Sequence, residues 1–325
     1  MTRDRAGTSR ADGRGLVDRW GEPGGEPGAE QPAAGARSAP HLASVIKVGG
    51  RAQRDERLAD VIAARWRAAV HASRDPASGL RGSVATGAAL PVAPARFCIV
   101  HGGGDEVTAL QRAAGIEPRF VGGRRVTGRD DIDRLRMALS GLANKRLVGI
   151  LVAAGVRAVG VSGEDGPLLR ADLLGGGLLG AVGTVSDVDV ELLACLAAGG
   201  YLPVIAPVAA SASAAGRAAA DALNVNGDDA AAAIAGALAA TELLLISDVS
   251  GVWVGGAPVP ALDPGDAERA IAEGEIVAGM EAKVRAALAA LAGGVARVRI
   301  GGLDLLWDEA AGTAIGVGGS CGVAA

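Results

Sequence analysis

Ser44-Val45-Ile46-Lys47-Val48-Gly49-Gly50 decides the fold: an apolar, largely β-branched run, broken by one lysine, that stops on two glycines. So short a run without polar alternation reads as a strand covered on both faces. A helical segment over about 55–70 follows it. The same grammar then repeats, with strand-like runs at 96–100, 157–161, 202–206, 243–247 and 296–300. Helical stretches lie between them, from about Asp105, over 130–154, and near 187–198, 228–240 and 280–292. Short apolar strands alternating with helices predict an α/β fold, a three-layer αβα sandwich around a mainly parallel central sheet. Ligands in such sheets bind beyond the carboxyl ends of the strands. The runs at 44–48, 96–100 and 243–247 all end in Gly or Ser/Asp clusters, as that rule requires.

Outside this repeat lie two stretches of different character. Residues 1–42 are rich in Gly, Pro, Arg and Glu, their arginines balanced by acids, and read as a disordered tail. Residues 71–95 read as a loop insertion, long for a connection inside a compact domain. The expected folded domain is therefore 43–325. Half of the residues are apolar but aromatics are only 2%, so Ala, Val, Leu and Ile must build the core. With a net charge of −4 and no basic, aromatic-studded surface, nothing points to nucleic acid. Cys98, Cys195 and Cys321 show no C-x-x-C spacing, which fits a reducing compartment and no zinc site. The apolar run around Ala230–Ala240 is well short of the ~18 residues a membrane span needs. No apolar signal core opens the chain, so the expectation is a cytoplasmic protein with no membrane partner.

Scarce residues carry the chemistry. Of 32 basic residues only three are lysines, Lys47, Lys145 and Lys283. In so arginine-biased a chain, a lysine marks a place that needs a compact, flexible point charge. Lys47 ends a buried strand, a costly position for an ammonium unless anions meet it there; snorkelling to solvent is the plainer alternative. Lys283, in Gly279-Met280-Glu281-Ala282-Lys283-Val284, opens a helix, where an ordinary surface cation is the competing reading. Only three asparagines occur, Asn144, Asn224 and Asn226, two of them in Asn224-Val225-Asn226-Gly227-Asp228-Asp229. Asn226 suits a helix cap and the two aspartates suit the helix dipole, which leaves Asn224 without a structural role. Gly49-Gly50 and Gly102-Gly103-Gly104 are strand-end turns whose N–H groups can approach phosphate closely. There is no G-x-x-x-x-G-K-[ST], and no G-x-G-x-x-G after the first strand, so the glycines point to phosphate in general.

Taken in order, Lys47-Val48-Gly49-Gly50, His101-Gly102-Gly103-Gly104, Gly123-Arg124-Arg125-Val126-Thr127 and Ala143-Asn144-Lys145 form the first half of a set. Asn224 to Asp228, Ser247-Asp248-Val249-Ser250-Gly251-Val252, Gly279 to Val284 and Gly312-Thr313-Ala314-Ile315 complete it. That ordered set resembles the acetylglutamate kinase family, within the amino-acid kinase superfamily. The resemblance implies an N-lobe, 43–206, for the amino-acid substrate and dimerisation, and a C-lobe, 207–325, for the nucleotide. It implies transfer of a phosphoryl group from ATP to the side-chain carboxylate of N-acetyl-L-glutamate, in arginine biosynthesis. Lys47 and Lys283 would flank the phosphoryl group, with Asp228 holding both. Gly103, Gly104, Arg125, Asn224 and Asn226 would form the substrate site, Arg125 and Asn224 at its α-carboxylate and acetamido end. Gly49 and Gly50 would meet the phosphates, while Asp248, Val249, Ser250, Gly251, Val252, Trp253, Ile276 and Val277 would line the nucleotide site. Mg²⁺ would enter with ATP, with no protein metal site. Residues 300–309 lack the pattern associated with arginine-inhibited relatives, and the N-terminal tail lacks an amphipathic helix of the kind that links dimers into hexamers there, so the expectation is a homodimer insensitive to arginine.

The chemistry agrees with the residue set. A side-chain carboxylate, with a pKa of about 4.3 in free glutamate, is ionised at neutral pH and needs no general base. Positioning and charge neutralisation are then sufficient, and two lysines, an acid and glycine amides supply them. Two other readings stay open. One is a kinase of the same fold acting on aminoadipate or glutamate on an acidic carrier protein; a basic mouth of Arg119, Arg124, Arg125 and Arg129 would serve it, and Arg297 to Gly302 leans that way. The other is a non-catalytic nucleotide-sensing regulator. Two positions depart from the family: Gly227 stands where alanine is usual, and Glu164 in Ser162-Gly163-Glu164-Asp165-Gly166 where lysine is common.

Overall fold

The computed structural model describes residues 42–74, 97–166, 168–213 and 221–316. The strands in chain order are β1 (Ser44–Val48), β2 (Phe97–His101), β3 (Phe120–Val121), β4 (Arg124–Arg125), β5 (Ala158–Ser162), β6 (Leu169–Leu173), β7 (Val182–Val188) and β8 (Leu202–Ala206). They continue with β9 (Val208–Ser211), β10 (Ala222–Val225), β11 (Glu242–Ile246), β12 (Trp253–Val254), β13 (Ala257–Pro258), β14 (Ala261–Leu262), β15 (Arg297–Gly301) and β16 (Thr313–Ile315). The helices are α1 (Leu58–Arg74), α2 (Gly104–Ala113), α3 (Ile132–Arg136), α4 (Asn144–Ala153), α5 (Glu191–Ala198), α6 (Gly227–Ala237), α7 (Pro264–Ala272) and α8 (Ala278–Ala292).

Eight strands form one sheet in the order β14-β16-β15-β11-β1-β2-β8-β5, parallel throughout except for β16 against β15. The expected α/β class and mainly parallel sheet are what is observed. In the middle, β1 pairs with β2 on one side and β11 on the other, so that Lys47 stands level with Val100 and Leu245. Residues of β1, β2 and β8 are all buried, which explains their unbroken apolar character. α6 packs on β1 and β11, α8 packs on β11 and β15, and the two helices pack on each other. Small residues allow this: a Cβ on Gly236 of α6 would lie only 3.5 Å from Gly293 O, just past α8.

The sheet and most helices match the expected bounds to within a few residues. Several features differ. α1 runs to Arg74, so the insertion expected from 71 begins in helix; residues 75–95 fall outside the described residues, as do residues 1–41 of the expected tail. Within 187–198, helix starts only at Glu191, because β7 occupies the chain as far as Val188. Finally, β6, β7, β9 and β10 close into a small four-stranded unit of their own, which the sequence pattern did not reveal. Their Ala, Gly and Ser content blurs the alternation that marks a strand. The unit matters because β10 carries Asn224.

Helical residues 130–154 also prove to be three pieces: α3, a π-helical turn over Met137–Ala143, and α4. The wide turn brings Leu139 and Ala143 onto the glycine loop, where a Cβ on Gly103 would fall 2.5 Å from Leu139 Cδ2 and 3.3 Å from Ala143 Cβ. Glycine at 103 is thus required by close approach.

Candidate active site

Three side chains meet beyond the carboxyl end of β1. Lys47 Nζ lies 2.8 Å from Asp228 Oδ1, and Lys283 Nζ lies 3.0 Å from Asp228 Oδ2. Lys47 and Asp228 are only 7% exposed at the side chain, and Lys283 13%. Each arrives on a different element. The pleat of β1 turns Lys47 toward the face that carries α6, the opposite of Ile46 and Val48. Asp228 stands in the first turn of α6, whose start is fixed by Asn226: its Oδ1 accepts from the N–H of Asp228 at 2.7 Å and of Asp229 at 3.4 Å. Lys283 stands in α8. The sequence expectation that one aspartate holds both lysines is met in the geometry.

The electrostatics follow from that crowding. Burial lowers the Lys47 pKa most, Asp228 pulls it back up and Lys283 lowers it again, leaving it at about 8 instead of 10.5. Burial pushes the Asp228 carboxyl up, but the two ammonium groups outweigh it and hold it below the ordinary carboxylate value. Two cations sharing one anion in a dry place leave a net positive site. Such a site is poised for a further negative charge.

Around this trio, the glycine turns interlock. A Cβ on Gly102 would lie 3.0 Å from Gly50 N, and one on Gly50 would lie 3.6 Å from Gly103 N. Gly104 begins α2, so the N–H groups at that helix start lack intrahelical acceptors and face an anion favourably. The loop is braced from behind by His101, which is fully buried. Asn144 donates its amide to Val204 O at 2.9 Å and contacts His101 Nε2 at 3.1 Å. Nε2 therefore accepts, and Nδ1 donates to Gly102 O at 2.9 Å. Burial lowers the His101 pKa to about 4, so the ring is neutral. Lys145 closes this network by donating to Asn144 Oδ1 and Gly160 O.

Arg125 is reached next. It is buried, with Nη1 on Gln111 Oε1 at 2.5 Å, Nη2 on Gly104 O and Thr108 Oγ1 at 2.8 Å each, and its plane 4.7 Å from the Phe120 ring. Among the described residues every direct hydrogen-bond partner of the guanidinium is neutral, and the carboxylates of Asp131 and Asp105 act on it only from farther off. Asn224 points into the same region: its Nδ2 donates to Thr127 Oγ1 at 2.8 Å. Asn224 and Asn226, one residue apart, thus do different work, the first on a strand linked through Thr127 to Arg125 and the second as a helix cap.

The residues expected at the nucleotide divide. Asp248, Val249 and Ser250 line a cavity of about 460 Å³ together with Arg51, Ser247, Gly302, Leu303, Asp304 and Trp307. Arg51 pairs with Asp248 at 2.9 Å. Gly251, Val252, Trp253, Ile276 and Val277 do not line it. Val252 and Ile276 are buried, Val252 with its N–H on Thr313 Oγ1 at 2.8 Å, while Trp253 and Val277 are exposed. Sequence reasoning overlooked Arg51, Thr108, Gln111 and Thr127, which hold the predicted residues in place. It also gave no role to Asn144, although the rarity of asparagine was a usable signal. Glu164 is explained as well: it accepts from Arg136 Nη2 at 2.6 Å and Nε at 3.1 Å, so the acid expected to be a lysine has found a cation.

Residues 43–302 match the family model described as the amino acid kinase family. The chain belongs to the amino acid kinase family. It is 49% identical over 214 residues to the acetylglutamate kinase of Chloroflexus aurantiacus, which covers 65% of this chain and 82% of that protein. Identity to the acetylglutamate kinase of Rubrobacter xylanophilus is 45% over 209 residues, 64% of this chain and 79% of the relative. For that of Shouchella clausii it is 40% over 220 residues, 68% and 83%. Among solved structures, smu.665 from Streptococcus mutans UA159 superposes with a TM-score of 0.69 at 27% identity, covering 85% of this chain and 98% of that one. An N-acetylglutamate synthase from Neisseria gonorrhoeae shares the fold with a TM-score of 0.64 at 20% identity, covering 86% and 61%.

Proposed function

We infer that this amino acid kinase is an ATP-dependent acetylglutamate kinase, transferring the γ-phosphoryl group to the side-chain carboxylate of N-acetyl-L-glutamate in arginine biosynthesis. The observation that carries the reaction type is the Lys47–Asp228–Lys283 trio beside the interlocked glycine turns. An acceptor carboxylate oxygen forms a bond to the γ-phosphorus as the bond to the β-bridging oxygen breaks, and the electron pair leaves on ADP. No proton moves, which suits a site whose histidine is neutral and buried. Lys47 and Lys283 offset charge on the transferring group, and Asp228 keeps both from drifting. The N–H groups of Gly103 and Gly104 hold the acceptor carboxylate, and those of Gly49 and Gly50 the phosphates.

Arg125 supports an acceptor with a second carboxylate, since a buried cation with only neutral partners favours an incoming anion. With Asn224 beside it, the pocket suits an α-carboxylate next to an amide. Asp248, Val249 and Ser250, which line the cavity, are assigned to the nucleotide; Gly251, Val252, Trp253, Ile276 and Val277 are placed there by the resemblance alone. Mg²⁺ would be carried in on the triphosphate.

A carrier-bound acceptor fits less well. Of the four arginines that would make a basic mouth, Arg124 is paired with Asp229, Arg125 is buried and Arg129 is paired with Asp221. Arg297 and Arg299 cluster with Glu242 near the amino ends of the strands, away from the glycine turns. A homodimer is the assembly we propose, testable by light scattering. Trapping acyl phosphate as hydroxamate tests the function: N-acetylglutamate should give product with ATP, and free glutamate and aminoadipate far less. Turnover of a carrier-bound acceptor in preference to N-acetylglutamate would overturn the assignment.

A further inference from the structure

The hairpin β3–β4 makes three attachments. Its two-residue turn, Gly122-Gly123, has positive φ at both positions, 54° and 74°, as a tight hairpin turn requires. Arg125 ties one strand to Gly104 and α2. Gly123 touches the start of α8, where its missing Cβ would lie 3.4 Å from Ala278 O, and Ala278 itself has φ +53°. The third attachment is electrostatic. Arg124 Nη1 stands 2.6 Å from Asp229 Oδ2, in ion-pair rather than hydrogen-bond geometry, with the side chains 27% and 22% exposed.

Asp229 directly follows Asp228 in the first turn of α6. Asp228 is fully engaged by two lysines, whereas Asp229 meets neither. Burial raises the Asp229 pKa and Arg124 offsets this only in part, so the carboxylate depends on its single cation. Without Arg124, Asp229 would be pushed further toward its neutral form, and at a pH high enough to ionise it an uncompensated negative charge would stand next to the trio that must receive phosphate. Without Asp229, the hairpin would lose its tie to α6 and keep only the two others.

We propose that Arg124 and Asp229 form a latch that holds the 120–125 hairpin against α6, so that Arg125 is preset for the acceptor and Asp229 is neutralised beside the reaction centre. Neither residue touches the reacting atoms; both are positioning residues. The latch rests on the acetylglutamate kinase reading for its acceptor, but not for its mechanics. Its two roles separate by mutation. Arg124→Met breaks the tie and exposes a carboxylate, while Asp229→Ala breaks the tie alone. The double variant also breaks the tie alone.

All three variants should raise KM for N-acetylglutamate by about tenfold, with no multiplication in the double variant, because one interaction is lost in each. KM for ATP should stay unchanged. At a pH high enough to ionise Asp229, kcat should fall in Arg124→Met and recover in the double variant. Arg124→Lys, which keeps the charge, should return KM close to that of the parent. Amide hydrogen exchange over 119–126, measured without substrate, should quicken in the three latch-less proteins. A roughly hundredfold KM rise in the double variant would show independent effects and overturn the latch. So would an unchanged KM, or hairpin protection equal to the parent's. The unmodified protein's turnover of N-acetylglutamate is measured first; if it is absent, the activity assignment fails while hydrogen exchange still decides the latch.

Discussion

Replacing Lys47 by methionine should abolish most activity and, below pH 8, weaken the folded state less than the loss of an ordinary ion pair would. The folded-state pKa of Lys47 is about 8 against 10.5, a difference worth about 3 kcal/mol. Below about pH 8 both folded and unfolded chains hold the proton, and the folded protein bears that cost in full. Between pH 8 and 10.5 the folded protein releases the proton while the unfolded chain keeps it. The unfolded state then binds more protons, so stability from this group rises with pH. The methionine variant has no such dependence. Denaturation of both proteins from pH 7 to 10.5 should show the parent gaining about 3 kcal/mol on the variant over that range. Activity runs the other way, because the neutral amine cannot offset phosphoryl charge. The parent's kcat/KM should fall above about pH 8. One ammonium about 4 Å from a phosphoryl charge at an effective dielectric near 20 is worth about 4 kcal/mol, so Lys47→Met should lose about a thousandfold in kcat. A stability difference that stays constant to pH 10.5, together with a flat kcat/KM, would refute the charge-placement reasoning.

Other outcomes follow from single contacts. Lys47→Arg and Lys283→Arg should each lose most of kcat while melting as the parent does, since the planar guanidinium cannot share Asp228 in the same geometry; near-normal turnover of either would count against the assigned roles. Arg125→Ala should act mainly on KM for the amino-acid substrate, read from initial rates at saturating ATP, and an unchanged KM would remove it from the pocket. Glu164→Lys should destabilise by about 1 kcal/mol by facing Arg136 with a like charge, and adding Arg136→Glu should recover only part of it in urea melts, because Arg136 also pairs with Asp133. Gly227→Ala should be accepted, because its Cβ would meet only ordinary contacts, 3.4 Å from Lys47 Cε and 3.5 Å from His101 O; a loss of folding would contradict the packing described.

Much of this protein is legible in its residues because the physics involved is local. Apolar runs of five residues ending in glycine specify buried parallel strands, and an Asn–Gly–Asp–Asp stretch before an alanine run specifies a capped helix. Scarcity was equally direct: two of three lysines converge on one aspartate, and all three asparagines have defined work. What depends on pairs distant in the chain was not legible. The partner of Glu164, 28 residues away at Arg136, and that of Asp229 in the hairpin emerge only when helices and strands are packed. The small β6–β7–β10–β9 unit was hidden because Ala, Gly and Ser carry too little hydrophobic contrast to show a period of two. Residue chemistry alone therefore determined which groups could handle a phosphate and which fold would present them. The tertiary structure decided that Lys47 and Lys283 meet on Asp228 and how charged Lys47 and Asp228 remain, since burial and the distances between charges, not residue identity, set those energies.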